Sequence, residues 1–144
     1  MKILLEKLRP YGFNDRRLTE KDFYRICEKE QITVMENNDV ASSFYLSVMG
    51  KHFIVIGKRL RGVHRLHAMF HELVHHWHSG HDEANAFFYG LNDSKPEAEA
   101  DALACIALIP ERDLGKFGIL NEYPRVFAKK IYNDRLRIYF LYGI

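Results

Sequence analysis

The segment His71-Glu72-Leu73-Val74-His75 places two imidazoles one helical turn apart with a carboxylate between them in sequence. Side chains four residues apart share a helix face, so His71 and His75 converge at a separation that suits two of the four ligands of a tetrahedral zinc ion. Glu72 is too short and wrongly angled to be the third ligand. Its carboxylate can instead accept a proton from a water on the open metal position and return it to a leaving amine, which is metal-assisted amide hydrolysis. Such a short pattern also arises by chance in unrelated helices, where the histidines only cap a surface. The phase argues against that here. Val63, Leu66, Phe70, Leu73 and Trp77 recur at three- and four-residue intervals as an apolar stripe, and His64, His67, His71, His75 and His78 repeat it one position later, along the edge of the buried face.

A third ligand is then expected downstream, and two candidates compete. His81 follows His75 by six residues, the third-histidine spacing of metzincin peptidases. The glycine that normally lets that chain turn is His78 here, and no Met follows Met69 to form a Met-turn. The other candidate lies in EAEADALACIALIP, whose buried stripe is read as Ala100, Leu103, Ala104 and Ala107. The preceding residue on that face is Glu97, whereas Glu99 points roughly 100–200° away. Ser94-x-x-Glu97 also satisfies a capping box that needs no metal. The ligand role is favoured, because an acid on the buried face of a helix start needs a partner. Asp101, one turn further on that side, is placed to orient a ligating imidazole.

These side chains need a frame, and the pattern supplies most of one. Thr19 and Asp22 resemble a capping box, with Leu18 and Phe23 as a hydrophobic staple, and predict a helix from about 20 to 29. Ile32–Met35, Phe44–Met49 and His52–Ile56 are rich in β-branched and aromatic residues, and Gly50-Lys51 marks a tight hairpin, so a small antiparallel sheet is expected. The site helix is predicted from Val63 to near Ser79-Gly80, and a second helix opens at Ser94-Lys95-Pro96-Glu97 and stops at Pro110. A last helix is expected from Pro124 to about Tyr132, while RLRIYFLYGI fits strand or helix and residues 1–17 carry little pattern. The fold class is α+β, a small zincin-like domain spanning residues 1–144.

The 144 residues carry 21 Lys+Arg and 19 Asp+Glu, so the formal charge is +2 with the eight histidines neutral. That near balance leaves no footprint for duplex nucleic acid. The opening MKILLEKLRP is too short in apolar residues for a signal peptide, and the longest apolar run, Ala102–Ile109, is far below a membrane span. Cys27 and Cys105, far apart and each within an apolar helical pattern, are read as reduced core thiols. A cytoplasmic protein is expected.

FHELVHHWH followed by an ExEADxxAxxxLIP segment, Glu97 to Pro110, resembles the ImmA/IrrE metallopeptidases. The resemblance runs from about Leu18 through Pro110 and takes in LTEKDFYRI and HFIVIGKRLRG. It implies zinc bound by His71, His75 and Glu97, Glu72 as catalytic base, and site-specific cleavage of a helix-turn-helix transcriptional repressor. That activity would relieve silencing of stress-response or mobile-element genes. Leu103-Ala104 stands where the family usually has Phe-Ala, a departure that bears on packing rather than chemistry. His78, His81 and Tyr89 are candidate donors to the oxyanion of the scissile carbonyl. A sheet edge near His52–Ile56 or Phe87–Tyr89 is a candidate for holding an extended substrate. The main alternative is a zinc-binding regulatory module without catalysis, which would need the ligands but not Glu72.

Overall fold

The structure, a computed structural model, describes residues 1–78, 85–88, 95–116 and 118–144, with 85–88 described by backbone alone. Its helices begin where local chemistry can satisfy free amides. Thr19 Oγ1 accepts from the Asp22 amide at 3.3 Å and Asp22 Oδ2 accepts from the Thr19 amide at 2.8 Å, a complete capping box that starts α2 (Glu20–Lys29). Leu18 and Phe23, the staple pair, are both fully buried. Ahead of it, residues 1–17 form α1 (Lys2–Leu8) and a 3-10 turn, with Leu4, Leu5, Leu8 and Phe13 in the core.

Strands β1 (Ile32–Asn37), β2 (Ser43–Val48), β3 (Lys51–Gly57) and β4 (Asn85–Phe88) form a sheet in the order β1-β3-β2-β4. The expected hairpin is β2–β3, turning at Met49-Gly50 and pairing antiparallel. The sheet as a whole is mixed rather than antiparallel, because β1 pairs parallel to β3, Val34 opposite Ile54. The physical reason is the crossover: residues 38–42 carry the chain to the far side of β3, so β2 takes one edge of β3 and β1 the other. Side chains alternate identically in both kinds of ladder, so the residue pattern does not register the difference.

Helix α3 (Gly62–His75) lies between the sheet and α4 (Lys95–Leu108), touching α2 and α5 (Arg125–Tyr142) as well. Every residue from His67 to His75 is buried, so this part of the helix is surrounded rather than half-exposed, and its polar residues face protein. Its entry is tight: Gly62 adopts φ +55° and a Cβ there would stand 2.0 Å from the Tyr123 carbonyl oxygen, which also accepts from the Val63 amide at 3.1 Å. Phe70 meets Phe13 and Phe23 edge-on at centroid distances of 5.9 and 6.0 Å, tying the site helix to the N-terminal third of the chain.

The undecided ending is helical through Tyr142. Ala128, Ile131, Arg135 and Ile138 form its buried face at helical spacing. Arg135 is fully buried and donates from Nε to the Ile109 carbonyl at 2.6 Å and from Nη1 to the Ile144 carbonyl at 2.7 Å. Cys27 and Cys105 are buried free thiols. Among the described residues no helix is long and apolar enough to cross a membrane.

Candidate metal centre

α3 and α4 bring His71, His75 and Glu97 to one point. Glu97 lies in the first turn of α4 with its side chain directed inward, 3% exposed. Its Oε2 is 2.8 Å from His71 Nε2 and its Oε1 3.0 Å from His75 Nε2, while the two Nε2 atoms are 3.2 Å apart. Donors held 2.0–2.1 Å from one tetrahedral centre lie roughly 3.3 Å from each other. Two imidazoles and a carboxylate at this spacing could therefore hold a metal ion, and among the described residues they form the one His/Cys/Asp/Glu group that could. Both Glu97 oxygens are engaged by the histidines; Ser94, the other half of the capping-box alternative, lies outside the described residues. Glu99, on the other side of the helix, meets the Met1 amino group at 3.1 Å.

Glu72 sits beside the group, its Oε1 3.8 Å from His71 Nε2. It is fully buried, and neither oxygen has a hydrogen-bond partner among the described residues. A buried, unpartnered carboxyl group is costly, and its persistence beside three convergent donors fits a group whose partner is a metal-site water or substrate. Burial, reinforced by the charges of Glu97 and Asp101, pushes the Glu72 carboxyl well above its ordinary range. Burial likewise works against charge on His71, but hydrogen bonds to Asp101 and Glu97 outweigh it and hold that imidazolium up to about 9 in the metal-free protein. Glu97 moves the other way, down to about 2, because the two imidazoles overcome the effect of its burial.

Each histidine of the pair also has an outer partner. Asp101 Oδ1 stands 2.7 Å from His71 Nδ1, the orienting position expected of it, at the margin of a groove of about 670 Å³ between α4 and α5. His75 Nδ1 is 2.9 Å from His78 Nδ1. His78, weighed above as an oxyanion donor, is thus turned by one nitrogen towards His75, and burial with the adjacent His75 lowers it to about 4. His81 and Tyr89, the other oxyanion candidates, lie outside the described residues, so the structure does not compare His81 with Glu97.

The other histidines face elsewhere. His64 stacks on Phe127 of α5 at 4.1 Å, and His67, buried below it, packs edge-on against the same ring at 5.7 Å, with Nε2 3.6 Å from Cys105 Sγ. His76 leaves the helix on the sheet side. Its Nδ1 is 3.3 Å from Tyr45 Oη, which also bonds His52 Nδ1 at 2.8 Å, and its Nε2 is 3.3 Å from Glu30. That polar network tethers the end of α3 to α2 and β2, and no periodicity in the sequence announces it.

Of the two segments weighed as a substrate edge, His52–Ile56 is internal, paired on both sides by β1 and β2. β4 has one partner strand, β2, among the described residues.

Neither a curated protein nor a solved structure matches the chain. A family model does: the IrrE N-terminal-like domain of the M78 peptidases matches residues 27–117, well over half of the sequence, from the last turn of α2 past the end of α4. With the HExxH helix and the convergent acid of α4 inside that span, the chain belongs to the M78 peptidase family.

Proposed function

We propose that the protein is a zinc-dependent endopeptidase in which His71, His75 and Glu97 hold the ion and Glu72 moves the proton. Membership of a metallopeptidase family and a two-imidazole, one-carboxylate donor set both support zinc, which takes this set in catalytic sites with one position left open. When bound, zinc would lower the pKa of a water and polarise the scissile carbonyl. The observation that carries the catalytic reading is Glu72: a buried carboxylate with no hydrogen-bond partner among the described residues, adjoining the ligand group without joining it.

The chain's own residues then have separable tasks. Glu72 accepts the proton of the attacking water and delivers it to the leaving amine nitrogen, so its two protonation states bracket the reaction. Asp101 accepts a hydrogen bond from His71 Nδ1 and fixes the ring with Nε2 turned inward. Among the described residues β4 pairs with β2 alone, and its other edge would offer main-chain groups to an extended peptide, which favours a substrate cut within an unfolded or locally opened segment. The substrate class we assign is a helix-turn-helix transcriptional repressor acted on in the cytoplasm, on the resemblance of the site segments to the ImmA/IrrE peptidases.

The test is incubation of the purified protein, and of Glu72→Gln, with a repressor encoded beside it. The parent should cut the repressor at a discrete bond, and Glu72→Gln should keep its zinc and cut at least about a hundredfold more slowly, the loss typical of removing an acid–base group. Equal cutting by both proteins would refute the role of Glu72. Zinc bound at full stoichiometry with no cutting of any repressor or unfolded protein would favour the regulatory module instead.

A further inference from the structure

The two histidines of the metal group are supported unequally. His71 Nδ1 meets a carboxylate, Asp101, across from α4. His75 Nδ1 meets an imidazole from its own chain segment, His78, at 2.9 Å. Nε2 of His75 is the nitrogen turned towards His71 and Glu97. A neutral imidazole that offers its Nε2 lone pair to a metal must carry its hydrogen on Nδ1, so that Nδ1 needs an acceptor. The group the structure places there is His78, so the acceptor is its Nδ1 lone pair, and its own hydrogen is then on Nε2.

The backbone explains how a residue three positions on reaches this place. After His75 the hydrogen bonds shorten to a 3-10 pattern: the amides of His76, Trp77 and His78 donate to the carbonyls of Leu73, Val74 and His75 at 3.0, 3.0 and 3.1 Å. In such a turn, side chains at i and i+3 eclipse, which lays the His78 ring against that of His75, centroids 5.0 Å apart. Continuing the α-helix would have left residue 78 about 60° short of His75 around the axis.

We propose that His78 is a positioning residue for the metal site: it accepts a hydrogen bond from His75 Nδ1, fixing that ring in the tautomer and orientation that present Nε2 to the ion. This rests on the reading of His75 as a ligand.

Zinc affinity, measured by competition with a chelator of known affinity, tests this in the full chain. His78→Ala should bind zinc about 10–100-fold more weakly, the range found when an outer partner of a ligating histidine is removed. His78→Asn, whose Oδ1 can stand where Nδ1 stood, should recover most of that loss. Nitrogen NMR of the zinc-loaded parent should show His75 protonated at Nδ1 and His78 at Nε2. Unchanged affinity in His78→Ala, no recovery in His78→Asn despite metal-free thermal midpoints matching the parent, or a hydrogen on His78 Nδ1 would each overturn the proposal. The ligand reading has its own control, His75→Ala. If that variant keeps the parent's affinity, both readings fall; if it loses zinc while His78→Ala does not, only the positioning role does.

Discussion

His64 and His67 share the stripe of His71 and His75, yet their surroundings give them different chemistry. The first two meet an aromatic ring from α5, where burial favours a neutral packing imidazole; the second two meet each other and a carboxylate. The difference is made by what faces each turn of α3, not by the helix itself. Glu97 shows the same logic from the other side: Glu97 and Glu99 are alike in sequence, and two residues of rotation send one into the metal group and the other to the surface. Periodicity resolves that choice because it is local to one helix, whereas His78 and Glu30 acquire their roles through a 3-10 turn and a sheet-side network that no repeat encodes. Asp101 is the residue-scale test of the outer support. Asp101→Ala should weaken zinc binding about 10–100-fold with the fold intact, read by chelator competition; an affinity equal to the parent's would remove it from the site.

Elements that carry their own signals were legible, and those that depend on partners were not. α2 is announced by Thr19 and Asp22, and α4 by its Pro and its apolar run. α5 was legible only to Tyr132 because Arg135 occupies a core position in its stripe, where a cation is stabilised by carbonyls from Ile109 and Ile144 that no local pattern foretells. The parallel β1–β3 pairing is hidden for the reason that alternation is the same in either direction. Replacing Arg135 with Met should cost about 1–3 kcal/mol, the effect of leaving a buried carbonyl without its donor, measured by denaturant unfolding; a neutral result would show that water substitutes for it. Asp22 anchors α2 through its cap and through Arg16, at 2.7 and 2.8 Å, which holds its carboxyl well below the usual range. A depressed carboxyl stabilises the fold above its unfolded pKa, near 4, and that contribution fades as pH falls from there towards the folded value. Asp22→Ala should therefore cost about 1–3 kcal/mol at neutral pH, and the gap to the parent should narrow below pH 4. A gap that is constant with pH would assign the loss to packing alone.

At the scale of the molecule, the candidate metal group sits where the two most buried helices meet, within a core that draws on α1, α2, the sheet and α5. The family match covers residues 27–117, but the side chains that back the site helix include Phe13 and Phe23 before that span and Phe127 after it. Metal binding should accordingly stabilise the whole fold: at a thousandfold excess over its dissociation constant, zinc should add about 4 kcal/mol, and a chelator should reverse the shift in thermal midpoint. No change in midpoint with saturating zinc would mean that the folded chain does not bind the ion in preference to the unfolded one. The reading of the protein as a zinc peptidase depends on the identity of its ligands, and elemental analysis of chains purified without added metal addresses that directly. The account expects about one zinc per parent chain and per His81→Ala chain, and almost none in Glu97→Ala; zinc retained by Glu97→Ala and lost from His81→Ala would contradict it.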